Sequence, residues 1–471
     1  MTFPRDLAWQ QLNHIYKSSI SHHFARYALT LNYSLLPANV VHQAKRCLLD
    51  ALGVAIGAYE APGRVVMEKS IKEIGGPQEA TVFCSGTRTS ALNAALANSF
   101  LIRFLDYNDK GGGGHNSESI GSILAVAERE KATGKDFLTS IVISYELGAR
   151  FSDSFKHSPE EMGLSPDMRA GFNQSPALGK MMGLNEEQIA NAICICGSHT
   201  MPMGILDADR DENSMSKNIR FGWAAHDALL ACILAKNGFT GPIRIFESER
   251  GIARTIGQGE MDFEVLTDFS GWRILNIWHK ALPFNGSSHP HLFATLGVVK
   301  EHKVKPEEVA EVHLKVGLRE SRHTTFSAKK YPRNAESADH SAYFGNAIII
   351  RDGAMRVDAM DPENFTDPVV LDLIEKMTVQ HDPNLSRYQA TSEIVTKDGR
   401  RLKKSIDGVH GQSKDPMTDQ DLEEKFREMA SRHMDEAQIK KIFDACWNVE
   451  RLSDVSPLAK LMVFPHSAWI K

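Results

Sequence analysis

Carboxylate, amine and imidazole side chains are concentrated in one short segment of the 471-residue chain, residues 104–117. It holds Asp106, Asn108 and Lys110, then four consecutive glycines, and then His115. A carboxylate and an imidazole can move protons in catalysis, and a lysine can hold an anionic substrate. Four adjacent glycines lose much chain entropy on folding, so we expect a backbone that is mobile or closely approached by its neighbours. The alternative is a solvated loop that ends in a helix cap.

Two other segments place a charged or imidazole side chain beside a predicted helix. Lys217 stands just before an apolar helix, where the positive end of the helix dipole disfavours a lysine. His340 follows Asp339 before another apolar helix, and the carboxylate could orient the imidazole. Each segment has an ordinary structural alternative: an exposed lysine in the first, and a cap formed by Asp339 or Ser341 in the second.

A fourth segment, residues 279–291, contains Lys280, His289 and two further histidines. Histidines can bind metals, but no acidic ligand accompanies these at a matching spacing, so we expect no metal site. The six cysteines are scattered without a Cys-x-x-Cys pair, which argues against an iron–sulfur cluster. The sequence also lacks a Gly-x-Ser-x-Gly elbow and a dinucleotide-binding fingerprint, so no cofactor is expected.

Composition excludes several functional classes. A net charge of −5 without a basic region gives no support to a nucleic-acid partner. The apolar runs are far shorter than the roughly 20 residues that cross a bilayer, so no membrane partner is expected. The first residues lack an apolar signal region and the cysteines fit a reducing compartment, which together predict a cytoplasmic protein.

The sequence up to about residue 270 predicts helices almost throughout, from the spacing of its apolar residues. Asn185 followed by Gln188 is a capping-box signature for one of them. The helices are expected over residues 41–55, 90–105, 120–128, 137–150, 185–196 and 221–236.

The pattern changes after residue 275. Apolar residues alternate with polar ones from Val312 to Leu318, which predicts a half-buried strand. Residues 387–396 and 400–406 predict a hairpin that turns at Asp398-Gly399. Helical patterns return after Thr418 and Asp435.

These elements predict a mainly α fold with an inserted α+β domain. The large helical domain is expected from residues 1–274 and 409–471, so both chain ends contribute to it. The smaller α+β domain is expected over residues 275–408.

Seven short motifs extend over nearly the whole chain: Leu48-Leu49-Asp50 with Gly53, residues 105–109 with His115, Ser216-Lys217-Asn218 with Gly222, residues 238–242, Lys280 with Pro283 and His289, residues 338–341, and residues 454–456. Together they resemble the MmgE/PrpD family, whose members include 2-methylcitrate dehydratase, cis-aconitate decarboxylase and iminodisuccinate epimerase. The resemblance implies a homodimer formed through the helical part. It also implies that the smaller domain acts as a lid, and that the active site lies between the two domains, without metal or organic cofactor.

By this resemblance, four residues are the expected catalytic groups: Asp106, His115, Lys217 and Lys280. Six are expected to contact the substrate: Lys110, Asn108, Asn173, Asn285, His289 and His340. Lys110 stands where many relatives have a threonine.

The chemistry that these groups would perform begins with removal of a proton next to a carboxylate. The resulting aci-carboxylate is doubly charged and requires cations already in place, for which Lys217 and Lys280 are the candidates, with Lys110 as a third. His115 or Asp106 would move the protons. We therefore expect a small di- or tricarboxylate as the substrate.

The expected activity is that of a cofactor-independent hydro-lyase, similar to 2-methylcitrate dehydratase. By the resemblance, many relatives have a histidine where Asn173 stands, and decarboxylases also have one where Asn285 stands. The absence of both histidines argues against decarboxylation of cis-aconitate. The alternatives are an epimerase or isomerase, a decarboxylase, and a dimer that binds a carboxylate without turning it over.

Overall fold

The computed structural model describes residues 14–207 and 211–464, except for the side chains of Arg319 and His323. The first part of the chain is helical, as its apolar spacing predicts. Its helices are α1 (Ile20–Thr30), α2 (Ala38–Gly57), α3 (Pro62–Ile74), α4 (Ala91–Phe104), α5 (Ser119–Glu130), α6 (Gly134–Asp153), α7 (Ala170–Met181), α8 (Glu186–His199), α9 (Arg220–Lys236), α10 (Ile252–Thr255) and α11 (Phe263–Thr267).

Local sequence signals set where several of these helices begin. Asn185 and Gln188 form the predicted capping box at the start of α8. The Ser90 side chain accepts a hydrogen bond from the Asn93 backbone at the start of α4. A small antiparallel pair of strands, β1 (Ala80–Thr81) and β2 (Arg88–Thr89), interrupts the helices and was not predicted.

The middle of the chain forms the predicted α+β region. Its helices are α12 (His289–His302), α13 (Leu318–Thr324), α14 (Ser327–Lys330), α15 (Ala335–Ala338), α16 (Ala342–Asp352) and α17 (Pro368–Glu375). Its strands are β3 (Val309–Val316), β4 (Met377–His381), β5 (Gln389–Thr396) and β6 (Arg401–Asp407), in the sheet order β4-β3-β5-β6.

The sheet confirms the predicted hairpin, since β5 and β6 pair antiparallel with Gln389 opposite Asp407. The strand predicted over residues 312–318 is β3, which ends at Val316, and Leu318 already begins α13. The sequence did not predict β4, which pairs parallel to β3.

The chain ends in helices again: α18 (Asp419–Ala430), α19 (Glu436–Trp447) and α20 (Ser456–Leu461). Thr418 and Asp435 cap the first two, as predicted. These helices share one hydrophobic core with α1, α2 and α4–α11, while the α+β region has a core of its own around the sheet and α16. A mainly α fold with a small sheet region is therefore present, and the domain limits and the lid stay predictions. No helix in the described ranges is long and apolar enough to span a membrane.

The four-glycine segment is packed tightly against α6. Gly112 and Gly113 have φ angles of +52° and +81°. A Cβ atom on Gly112 would lie 2.5 Å from Cβ of Ala149, and one on Gly113 would lie 2.2 Å from Cβ of Ser152. Close approach of the backbone to a helix therefore explains these glycines.

Gly113→Ala tests this packing against Gly163→Ala, its matched control. Gly163 has a similar φ of +73° but nothing within 4 Å of its would-be Cβ. Both variants place alanine in the left-handed region, at a cost of about 1–2 kcal/mol. Gly113→Ala also overpacks against Ser152, so we expect its free energy of unfolding in urea to fall by about 2 kcal/mol more. Equal losses for the two variants would contradict this explanation.

Candidate functional site

A buried carboxylate, Asp106, lies at the centre of the predicted site. It follows the end of α4, with φ at +46°. Its Oδ1 contacts Lys280 Nζ, lies 2.7 Å from Nη1 of Arg103, and lies 3.5 Å from Nε2 of His115. Its Oδ2 lies 3.7 Å from Lys217 Nζ. The structure thus brings together all four residues predicted to be catalytic, and adds Arg103.

The surrounding cations keep Asp106 ionised. Burial alone would oppose ionisation, but the charges of Arg103, Lys280 and Lys217 outweigh it and hold the pKa of this carboxyl well below its usual range. Asp106 is therefore poorly suited to accept a proton, and His115 is the better candidate of the two.

Hydrogen bonding defines the proton position on His115. Its Nδ1 lies 2.7 Å from the backbone oxygen of Asp109. A carbonyl oxygen only accepts, so Nδ1 carries the hydrogen and Nε2 presents a lone pair. Burial and the charges of Lys280 and Arg103 lower the pKa of His115 well below its usual value, so the ring is neutral. A neutral imidazole with a free Nε2 lone pair can act as a base.

Asp109, whose backbone oxygen accepts a hydrogen bond from His115, is itself fixed by its side chain. Its carboxyl accepts a hydrogen bond from the hydroxyl of Tyr145 at 2.6 Å. Burial raises the pKa of Asp109. The side chain thus anchors the loop whose backbone orients His115.

Lys217 is fully buried, so it is not the exposed lysine that was its structural alternative. It belongs to the 3₁₀ turn Met215–Asn218 before α9, and its Nζ donates to Oδ2 of Asp339. His340 Nδ1 donates to the other oxygen of Asp339, and His340 Nε2 accepts from the Asn285 side chain at 2.5 Å. The predicted orienting role of Asp339 is thus present in the geometry, while Ser341 caps α16.

Positive charge also surrounds His340 and Lys280. Burial and the charge of Lys217 lower the pKa of His340 to about 4, although Asp339 opposes the shift. Burial lowers the pKa of Lys280 to about 8, although Asp106 opposes that shift. Near neutral pH, His340 is therefore neutral and Lys280 can still give up its proton.

One group of three could hold a metal ion within the described part of the chain: Asp106, Asp339 and His340, whose ligand atoms lie within 4.8 Å of one another. Lys217 Nζ lies 2.5 Å from Asp339, 3.3 Å from His340 and 3.7 Å from Asp106. A buried ammonium group thus supplies positive charge where a cation would bind. The three histidines of residues 279–291 belong to no such group among the described residues.

A cavity of about 70 Å³ lies beside this cluster. His115, His340 and Asn285 contribute to its walls. An adjoining cavity of about 440 Å³ shares five wall residues with it: Lys110, Gly113, Gly114, Glu160 and Pro166. Lys217 and Lys280, predicted to hold the substrate, lie behind the walls and contact Asp106 and Asp339 instead.

Two arginines in the cavity wall were missed by the sequence analysis, Arg103 and Arg220. Arg220 pairs with Asp167 and lies 2.5 Å from Oδ1 of Asp207. The signal for Arg103 was its place in a helix that otherwise reads as buried, because a buried arginine requires a partner.

Three predicted substrate contacts lie away from the cavity walls. The Asn108 side chain donates to Ser117 Oγ at 3.0 Å, and Asn173 donates to the Ser144 carbonyl at 3.0 Å. His289 is fully buried, and its ring nitrogens have no hydrogen-bond partner among the described residues. Their contact with a substrate stays a prediction.

Comparison with known proteins identifies two matching family domains. Residues 22–264 match the MmgE/PrpD N-terminal domain and residues 283–449 match the MmgE/PrpD C-terminal domain. A cis-aconitate decarboxylase-like protein of Aspergillus oryzae is 23% identical, over 95% of this chain and 98% of its own. Cis-aconitate decarboxylase of Mus musculus is 22% identical, over 95% and 94%. 2-Methylcitrate dehydratase of Escherichia coli O157:H7 is 23% identical, over 75% and 76%.

His340→Gln should change how stability depends on pH. The unfolded chain binds a proton at this histidine below its usual pKa of 6.5, while the folded site stays neutral down to about 4. The unfolded state then holds more protons, so the wild type loses stability as pH falls from 6.5 towards 4. The difference in unfolding free energy between wild type and variant should shrink by up to about 1.4 kcal/mol per pH unit in that window. The free energies come from urea unfolding at pH 6.5 and pH 5. The same difference between wild type and variant at both pH values would contradict a neutral His340.

Proposed function

This chain belongs to the MmgE/PrpD family, and we propose that it is a cofactor-independent hydro-lyase, similar to 2-methylcitrate dehydratase, acting on a small di- or tricarboxylate. The observation that carries the proposal is the neutral His115, whose Nε2 lone pair lies beside a buried cluster of cations. The proposal includes a homodimer joined through the helical part, as the family resemblance implies, and a cytoplasmic location, which the scattered cysteines fit.

His115 takes the proton in the first step. Its Nε2 removes hydrogen from the carbon next to a substrate carboxylate, and the electron pair moves into that carboxylate to form an aci-carboxylate. The imidazolium that results lies 3.5 Å from Asp106, whose negative charge stabilises it. Lys217, Lys280 and Arg103 stabilise the charge that develops on the substrate.

Loss of water completes the reaction. The electron pair of the aci-carboxylate forms the carbon–carbon double bond, and the carbon–oxygen bond of the neighbouring hydroxyl breaks. The departing oxygen takes a proton from protonated His115, which lines the cavity. Lys110, on the wall of both cavities, holds a further carboxylate of the substrate.

Decarboxylation is the second candidate, because cis-aconitate decarboxylases are among the relatives that align with nearly the whole chain. The same cation cluster would stabilise the carbanion that loss of carbon dioxide leaves. Asn285 argues against decarboxylation. The resemblance places a histidine at this position in decarboxylases, whereas here the Asn285 amide donates a hydrogen bond to Nε2 of His340.

Proton NMR in D₂O separates these candidates. EDTA-treated protein is incubated with 2-methylcitrate, citrate, cis-aconitate and iminodisuccinate. An alkene formed from a hydroxy acid supports the hydro-lyase. Deuterium exchange without an alkene identifies an epimerase. Loss of carbon dioxide from cis-aconitate, seen as the new alkene resonances of the decarboxylated product, identifies a decarboxylase. Thermal stabilisation by these acids without any turnover would identify the non-catalytic carboxylate-binding dimer.

Lys217→Met should abolish turnover of the acid identified in this way. The substitution removes a buried charge from between Asp339 and Asp106, so we expect a fall in kcat/KM of at least about 100-fold. Lys45→Met is the matched control, since Lys45 is also a buried lysine paired with a carboxylate, Glu450 at 2.7 Å, but outside the site. A kcat/KM within a few-fold of the wild type in Lys217→Met would refute this role for Lys217.

A further inference from the structure

Another buried lysine, Lys425, contacts the segments of the site on the side away from the cavity. It lies on α18, in the C-terminal part of the chain, and only 4% of its surface is exposed. Its Nζ donates to the backbone oxygens of Tyr107 at 2.8 Å and of Lys280 at 2.9 Å. It also lies 3.9 Å from the centre of the Tyr107 ring. One ammonium group thus joins the two backbone segments that carry Asp106 and Lys280.

A carboxylate from a third segment compensates the charge of Lys425. Asp50 Oδ1, on α2, lies 2.6 Å from Lys425 Nζ, and Asp50 Oδ2 lies 3.3 Å from Nδ1 of His279. Burial opposes ionisation of Asp50, but Lys425 and His279 outweigh it and lower its pKa. Asp50 ends the motif Leu48-Leu49-Asp50, to which the sequence analysis assigned no role.

These contacts bear on Asp106 because its backbone is strained. A φ of +46° costs a residue with a side chain about 1–2 kcal/mol, so neighbouring contacts must hold it there. On one side, Lys280 Nζ contacts both the backbone oxygen and the carboxylate of Asp106. On the other side, Lys425 holds the next carbonyl, that of Tyr107, together with the carbonyl of Lys280.

We propose that Lys425, paired with Asp50, is a positioning residue that keeps the Asp106 carboxylate and the Lys280 ammonium in register for catalysis. This inference rests on the proposed function. Lys425 contacts neither the cavity nor the reacting atoms, so it acts through the two backbone segments. A positional error of about 1 Å in catalytic groups can cost about 100-fold in rate.

Lys425→Met and the double variant Asp50→Asn/Lys425→Met test the proposal, with Lys45→Met as the control. Lys45 lies on the same helix as Asp50 and also combines a backbone oxygen, that of Trp447 at 2.7 Å, with a carboxylate. The double variant removes the buried charge that Lys425→Met leaves on Asp50, so it separates loss of folding stability from loss of position. The readouts are Tm, kcat and KM, and a crystal structure of the double variant.

The expected result is a split between kcat and KM. Lys425→Met and the double variant should lose at least about 30-fold in kcat, with KM within about 3-fold, because the cavity walls are unchanged. The double variant should regain Tm but not kcat, and its Asp106–Lys280 contact should be broken. Lys45→Met should keep kcat within about 3-fold of the wild type at a similar loss of Tm.

Two results would overturn the inference: recovery of kcat in the double variant, or an intact Asp106–Lys280 contact in its crystal structure. If the wild type turns over none of the acids, the proposed function fails by itself. The crystal structure then still decides whether Lys425 holds the pair together.

Discussion

A carboxylate without access to water stays ionised only if cations are brought to it, and Asp106 imposes that requirement on this fold. Arg103 lies three residues before Asp106 at the end of α4, but the other two partners come from distant parts of the chain: Lys217 from the turn before α9, and Lys280 from the segment before α12. Each cation is itself buried, so removing any one leaves another charge uncompensated. The packing of these segments therefore determines the electrostatics of the site.

The sum of these charges explains the protonation of the surrounding groups. Arg103, Lys217 and Lys280 are three cations, and Asp106 and Asp339 are the two carboxylates paired with them. A third acid, Glu118, lies 3.4 Å from Arg103, but burial and the charge of Asp167 raise its pKa to about 8. It adds little negative charge at neutral pH, so the cluster keeps an excess of positive charge. Burial and that excess together keep the nearby histidines neutral. An excess of positive charge is also what the proposed anionic substrate requires.

Much of this arrangement could be predicted from the sequence because its signals are local. Capping residues such as Asn185 and Thr418 act within one helical turn, and the hairpin turns at a single dipeptide. Strand β4 was missed because its stability comes from β3, far away in the chain, and not from its own pattern. Strands β1 and β2 are only two residues long each, too short for any periodicity to show.

The candidate site shows the same difference between local signals, which could be predicted, and contacts between distant segments, which could not. The residue types in the motifs, with the family resemblance, predicted three of the side chains that meet at Asp106, those of His115, Lys217 and Lys280, but not Arg103. They could not predict direction: Lys217 and Lys280 point at carboxylates behind the cavity, while Arg103 and Arg220 reach its wall. Whether a buried lysine faces a substrate or a partner carboxylate depends on tertiary contacts between segments that no local pattern records.

The four glycines show why such contacts also determine the shape of the cavity. The sequence left open whether their backbone is mobile or closely approached, and their packing against Ala149 and Ser152 supports close approach. The glycines that pack against α6 connect Lys110 to His115 in the chain, and both of these residues line the smaller cavity. The packing of these glycines against α6 thus fixes the backbone between the proposed base and the cavity lysine, and with it the shape of this part of the cavity.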